Sequence, residues 1–351
     1  MSKPRIAVIL FQLGGPDSRE AVEPFLYNLF CDPDIINFWG GWLARRPLAW
    51  WIAHRRAGIV REHYDAIGGQ SPIRRLTELQ TRGLEKALAP DFDARAFIAM
   101  RYWHPLTREA VQALRAAAPL DALVLLPLYP QYSFATTLSS LKEWRRVYSQ
   151  APPQPAPGEI LIEEFHLHPQ YVQALVNNIE TAFARFADRR KVQLVFSAHG
   201  LPLSLIARGD PYQRQVEETV AAVMARGGWP NPHRLCFQSR VGRQKWLEPS
   251  LLHTLEKLPA EGNKQLLVVP ISFVTEHIET LHEINIDARE HALAHGVEQF
   301  EMMPALDDSP EFITALASLV RAAVASERQR VRQPPGAVNL SGMTAGLKFD
   351  R

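Results

Sequence analysis

The segment Val274-Thr-Glu-His-Ile-Glu-Thr-Leu-His-Glu283 crowds carboxylates and imidazoles together. Glu276, Glu279, Glu283 and Asp287 follow one another at steps of three, four and four, so an α-helix would line them along one face. Four like charges on one face repel each other unless a cation or a proton sits among them. Most such rows are solvated helix faces. This one starts where an apolar, β-branched run, Leu266 to Phe273, ends. Ligands of open α/β sheets bind at the carboxyl ends of strands.

A second candidate lies upstream. Val195-Phe-Ser-Ala-His199-Gly-Leu-Pro202 puts His199 just beyond another buried-strand pattern, between small residues that leave its ring accessible. A lone histidine is more often structural. His199 gains weight from the acidic row and from Gly209-Asp-Pro-Tyr212 downstream. His199, His277, Glu279 and Glu283 form a nitrogen and oxygen donor set without thiolates, suited to Fe²⁺, Zn²⁺, Co²⁺ or Mn²⁺. The spacing is not that of a zinc protease, which needs two histidines four apart with a glutamate after the first. His277 and Glu279 are two apart, roughly 200° around an ideal helix. They converge only if the helix starts irregularly, for instance with a π-type turn.

These side chains must be carried by a chain of 351 residues, long for one domain and comfortable for two. Apolar content of 46% supports sizeable cores, and a formal net charge of +2 argues against a nucleic-acid partner. Cys31 and Cys236 form no CxxC pair, which fits a reducing cytoplasm. The run Ile6 to Phe11 is too short for a signal-peptide core, and no window approaches the roughly 20 apolar residues of a membrane span.

Strand patterns at Ile6–Phe11, Ala94–Met100, Ala122–Leu126, Ile160–Phe165, Val192–Ser197, Leu235–Gln238, Gln265–Ile271 and Val297–Met302 alternate with amphipathic stretches. That alternation predicts parallel sheets with helices on both faces, in two similar α/β lobes. The proline-rich stretch Ala151–Gly158 marks the division: residues 1–158, then 159–310 with an acidic helix over 276–290. A last helix over 311–327 and a loose tail over 328–351 follow. Residues 37–56 hold four tryptophans interleaved with Arg45, Arg46, Arg55 and Arg56. They read either as core packing or as an amphipathic lip for a flat ligand or an anionic membrane surface. Ser71 before Pro72 reads as a helix N-cap, or as part of an anion site.

Taken in order, Leu13-Gly-Gly-Pro16, Ile67-Gly-Gly-Gln-Ser-Pro-Ile73, Leu126-Pro-Leu-Tyr-Pro-Gln-Tyr132, the His199 motif with Gly209–Tyr212, Phe237-Gln-Ser-Arg-Val-Gly242 with Trp246-Leu-Glu-Pro249, and Val274–Glu283 resemble the ferrochelatases. The resemblance runs from about residue 5 to 325. It implies two Rossmann-like lobes, each a four-stranded parallel sheet flanked by helices in the chelatase manner, with a porphyrin cleft between them. It implies insertion of Fe²⁺ as substrate into protoporphyrin IX, with Zn²⁺ or Co²⁺ as surrogates and no nucleotide. His199 and Glu279 match the family's metal-binding and catalytic pair. His277, Glu276 and Glu283 match the acidic helix, which in the family starts with a π-helical turn. Leu13, Tyr64, Ser71, Arg101 and Trp246 match porphyrin-cleft positions, and the Trp-rich segment matches the active-site lip. A helix over 311–327 packing back on the first lobe, a monomer, and a cytoplasmic location with peripheral contact to the inner membrane face complete the expectation.

There are departures. Leu13 stands where some relatives have methionine, and Gln70 replaces a common glycine. The tail has no cysteines, so the C-terminal [2Fe–2S] cluster of some members is not expected. Two further readings share the fold: a porphyrin carrier, which would not need the acidic row, and a chelatase loading cobalt or nickel into another tetrapyrrole.

Overall fold

The computed structural model describes residues 2–33, 41–240 and 244–332. The first lobe runs β1 (Arg5–Gln12), α1 (Val22–Cys31), α2 (Gly41–Ala66), α3 (Ile73–Leu88), β2 (Asp93–Met100), α4 (Thr107–Ala117), β3 (Ala122–Pro127), α5 (Ser139–Tyr148) and β4 (Gly158–Leu161). The second runs α6 (Pro169–Phe183), β5 (Val192–His199), α7 (Leu203–Ala207), α8 (Tyr212–Gly227), β6 (His233–Gln238), α9 (Leu251–Ala260), β7 (Gln265–Pro270), a π-helical segment (Glu279–Ala288) continuing into α10 (Arg289–Ala294), and β8 (Gln299–Met302). α11 (Pro310–Arg332) closes the described chain.

Both sheets are four-stranded and parallel, in the orders β2-β1-β3-β4 and β6-β5-β7-β8. Their central strands are buried along almost their whole length. That is why they read in sequence as unbroken apolar runs rather than alternating ones. In each sheet the chain order reverses between the two central strands. The loops leaving β5 and β7 therefore open a crevice at the C-terminal edge of the second sheet, the usual place for a ligand.

The two lobes share one core. Ile6, Val8 and Leu10 of β1 belong to the same buried cluster as Leu194 and Phe196 of β5, through Tyr171 and Leu175 of α6 and Phe312 and Leu316 of α11. α11 lies on α3 so closely that a Cβ on Gly83 would stand 3.1 Å from Ile313. Arg321 adds an ion pair with Asp91 at 2.7 Å. Where the strand ends of the lobes meet, buried amides bridge them. Gln80 donates to Thr275 Oγ1 and to the Asp307 carbonyl, and Gln131 donates to Thr219 Oγ1.

Two expected boundaries move. β4 pairs with β3, so a division at residue 158 cuts a strand of the first sheet. The proline-rich stretch is a loop inside that lobe, where prolines interrupt pairing without ending a domain. The last helix continues past 327 to Arg332; residues 333–351 of the expected tail lie outside the described residues. So do 37–40 of the lip and 241–243 of the Phe237–Gly242 motif.

Candidate active site

His199 is the last residue of β5. Its backbone is fixed on both sides: its N–H donates to Ser272 Oγ at 3.1 Å, and the next N–H, of Gly200, donates to the Gln238 carbonyl at 2.8 Å. A Cβ on Gly200 would lie 2.7 Å from that carbonyl oxygen. Only glycine lets the ends of β5 and β6 come this close, and the approach brings Ser239 to the histidine's side. Ser239 itself holds a left-handed φ of 62°, an uncommon conformation for a side-chain-bearing residue that clusters at functional sites.

The opposite wall comes from β7. After Pro270 the chain turns through Ser272, Phe273 and Val274, and helix starts only at Ile278. His277 precedes the helix, and Glu279 opens its π-helical part. The geometric conflict posed by two residues two positions apart is resolved in this way, with His277 Nε2 3.9 Å from Glu279 Oε1.

The centre is compact. His199 Nδ1 is 2.7 Å from Glu279 Oε2. Ser239 Oγ is 3.1 Å from Glu279 Oε2 and 2.5 Å from Glu283 Oε2, while Ser239 N–H donates to Glu283 Oε1 at 2.8 Å. One hydroxyl proton cannot serve two carboxylates, so the pair of contacts calls for a further proton on one of them. Glu283 is the acid that would carry it. Burial, then the charge of Glu279, push it up to about 6. For Glu279, burial is outweighed by His199, His277 and Ser239, which hold it down to about 2. Burial opposes charge on His199 too, but the Glu279 carboxylate and its hydrogen bond win, and the imidazole stays protonated above its ordinary range. His277 goes the other way. Buried against Phe273, its pKa is lowered, and its Nδ1–H donates to the Thr275 carbonyl at 3.0 Å. The centre thus holds an imidazolium–carboxylate pair, a neutral imidazole and an acid poised to lose its proton.

Glu276, expected to stand in the acidic wall, does something else. Its carboxylate accepts from the Ala305 N–H at 2.8 Å and from Thr280 Oγ1. Its side chain anchors the start of the helix to the loop after β8, because it lies outside the helical turn that aims Glu279 and Glu283. Asp287 pairs with His282 at 3.1 Å, and the His282 ring stacks on His63 of α2 at 4.1 Å.

Of the expected cleft residues, Leu13 and Tyr64 pack in one cluster with Ile278, beside His277 and Glu279. The Glu279 charge adds to burial in raising the Tyr64 pKa, so its phenol stays protonated. Trp246 packs against the Gly200 position and leaves a buried Nε1–H without a partner among the described residues, a donor available to a ligand. Arg101 is held by Asp32 at 2.7 Å and by Ser139 at 3.1 Å, its guanidinium over the Tyr102 ring. Ser71 lies against Gly15, two residues from Leu13. Its Oγ caps Ile73 N–H, and its side chain fills the space a Cβ on Gly15 would need. It borders a separate open pocket with Asp17, Arg74 and Arg75.

Sequence reasoning gave no role to Ser239, Ser272 or Phe273. Ser239 stood in the quoted Phe237-Gln-Ser-Arg stretch. Its signal was its place directly after the strand that pairs with β5.

A family model described as ferrochelatase matches residues 5–324. The chain is 48% identical over 328 residues to a ferrochelatase of Geotalea uraniireducens (strain Rf4), covering 92% of this chain and 99% of that one. It is 46% identical over 318 residues to a ferrochelatase of Nostoc sp. (strain PCC 7120), covering 90% and 81%. Among solved structures, SirB from Bacillus subtilis with Fe³⁺ superposes with a TM-score of 0.55 at 14% identity, over 93% of this chain and 98% of that one. At that identity the likeness speaks for the fold alone.

Proposed function

The chain belongs to the ferrochelatase family, and on that premise we propose that His199, Glu279 and Glu283 form its metalation centre, with protoporphyrin IX as the porphyrin. The protein is a metal chelatase of the lyase class that inserts iron into a porphyrin for haem synthesis, with ferrous iron as the substrate metal. The observation that carries the site assignment is the 2.7 Å contact between His199 and Glu279 at the topological switch point of the second sheet.

The reaction removes two pyrrole protons and places one divalent ion in the ring. A base over the ring centre must be neutral to accept a proton. Glu279 keeps His199 charged. A cation arriving at Glu279 replaces the imidazolium as its partner, and the His199 proton passes to solvent, which leaves a neutral base beside the metal. Glu279 and His199 are then the first metal ligands, and His199 the pyrrole-proton acceptor, in sequence. Glu283, ionised above about pH 6 and hydrogen-bonded to Ser239, takes or relays the second proton and offsets the charge of the cation. His277, neutral and buried, braces Glu279. Glu276 contributes by holding the helix start.

For the porphyrin, Leu13, Tyr64 and Ile278 offer an apolar wall, Trp246 an N–H without a partner among the described residues, and Arg101, paired with Asp32, its remaining guanidinium donors for a carboxylate. Bending of the flat macrocycle against such a rigid wall would favour the transition state over the planar substrate. Ser71 supports the wall through Gly15 rather than touching the ring. Zn²⁺ and Co²⁺ suit the same donors. The proposal includes no iron–sulfur cluster, since the two cysteines of this sequence do not make up the four thiolates of a Cys₄ cluster.

No described helix is long and apolar enough to cross a membrane. A peripheral contact is supported by α2. It buries Ala49, Ala53 and Ala57 while leaving Trp50 and Trp51 about half exposed, with Arg55 over the Trp51 ring. A reducing cytoplasm suits the free Cys31 and Cys236. The direct test mixes the protein with protoporphyrin IX and Fe²⁺ without oxygen, or with Zn²⁺ in air. The Soret band should shift and porphyrin fluorescence disappear with multiple turnover. No turnover with either metal would refute the assignment.

A further inference from the structure

A second group of side chains able to ligate a metal lies on the second lobe, on α9 and at the far end of the helix that carries Glu279 and Glu283. His291 and His295 are four apart at the α10 end of the helix begun by Glu279, so one face presents both. Glu256 reaches them from α9. One donor atom from each of Glu256, His291 and His295 lies within 4.8 Å of the others. His291 Nε2 is 3.1 Å from Glu256 Oε1, the two imidazoles stand 4.2 Å apart between centroids, and His253 Nδ1 is 3.7 Å from the other Glu256 oxygen.

One detail separates this from a chance surface cluster. His295 Nδ1 is 2.8 Å from the His291 carbonyl. A carbonyl only accepts, so Nδ1 carries the proton, and neutral His295 has its lone pair on Nε2, the free edge of the ring. A backbone carbonyl that fixes the tautomer in this way is the usual support of a metal-ligating histidine. All three donors have solvent access, so an ion can enter.

We propose that His291, His295 and Glu256 bind a first-row divalent transition-metal ion. Imidazole and carboxylate suit Zn²⁺, Co²⁺ or Fe²⁺ rather than Mg²⁺ or Ca²⁺, which want oxygen alone. Binding displaces the proton between His291 Nε2 and Glu256 Oε1 into solvent and replaces it with the metal. The ion ties α9 to the end of α10. The assignment stands independently of the porphyrin reading.

The test is equilibrium dialysis against Co²⁺ without porphyrin, with the d–d absorption of the bound ion recorded. The His199→Ala/Glu279→Ala protein, whose metalation centre is disabled, should still bind one equivalent saturably. Adding His295→Ala should abolish that equivalent, and adding Glu256→Gln instead should weaken it at least ten-fold. The His291→Ala/His295→Ala protein should keep its porphyrin metalation rate. Unchanged stoichiometry in the His295→Ala background, or no saturable binding when the first centre is disabled, would overturn the proposal. Should His295→Ala lower the melting temperature in EDTA, the Glu256→Gln arm decides, since it keeps the size and the hydrogen bond of the side chain it replaces.

Discussion

His199 Nδ1 and Glu279 Oε2 lie 2.7 Å apart although eighty positions separate them in the chain. One ends β5 and the other follows β7, and these two strands are neighbours in the sheet. The contact is therefore set by the sheet itself rather than by flexible loops. Each partner's protonation depends on the other: remove the carboxylate and burial favours a neutral imidazole; remove the imidazole and Glu279 loses the charge that keeps it ionised.

His199→Ala and Glu279→Ala should each lower the metalation rate by at least about a hundred-fold, the range of a lost acid–base or electrostatic group. Porphyrin affinity, read from quenching of intrinsic fluorescence, should change little, since neither side chain supplies the apolar wall. Either variant retaining most of its turnover would remove that residue from the centre.

Glu283 sets an acid limb. With its pKa pushed up to about 6, the carboxyl is neutral below that pH and ionised above it, so the metalation rate should fall as pH drops through about 6. Ser239 lowers this pKa through its hydroxyl and its N–H. Ser239→Ala keeps the N–H and deletes the hydroxyl. Its acid limb should move upward by about half to one pH unit, because one hydrogen bond to the charged form is lost. A pH–rate profile with an unmoved midpoint would detach Glu283 from the rate.

Gly200→Ala places a methyl 2.7 Å from a backbone carbonyl. The ends of β5 and β6 must part, at a cost of about 1–3 kcal/mol in denaturant unfolding. The His199–Ser239–Glu283 geometry opens with them, and the rate should drop more than ten-fold, as a small misplacement at a reacting centre does. Gly83→Ala is the control. It meets only the Ile313 side chain between α3 and α11, should shift stability by no more than about 1 kcal/mol, and should leave the rate as it was.

Much of this was legible in the chain. Buried parallel strands announce themselves as apolar runs, and their order of appearance placed His199 and the acidic row at strand ends. The need for an irregular helix start between His277 and Glu279 followed from angles alone. What the sequence hid was side-chain direction. Glu276 has the spacing of a wall residue, but the segment before Ile278 is not helical, so its carboxylate turns to Ala305. Ser239 carried no signal of charge or size. Its role comes from a left-handed φ and from which strand lies beside β5, both of them long-range outcomes. The proline-rich loop looked like a linker because composition reports flexibility, not pairing partner.

Asp307 offers a test of stability rather than rate. It sits in the loop that joins the lobes, with a left-handed φ of 44°. Its Oδ1 accepts from the Glu276 N–H at 2.9 Å, and its carbonyl accepts from Gln80. Burial first, then the charges of Glu276 and Asp308, push its pKa up to about 6. The unfolded chain holds the same group near the ordinary value of about 3.9. Between those values the native state binds more protons than the unfolded one, so stability from this group declines as pH rises from about 4 to about 6 and stays lost above. Asp307→Asn removes the ionisation, keeps an oxygen acceptor for the Glu276 N–H, and tolerates the left-handed backbone. After discounting for partial exposure, it should stabilise the protein by about 1–2 kcal/mol at pH 7. The gain should shrink toward zero near pH 4, where both side chains are neutral. Urea unfolding of the two proteins at pH 4 and pH 7 separates the cases. A gain of equal size at both pH values would mean that packing, not charge, is at work, and a loss at pH 7 would mean that the carboxylate is needed where it stands.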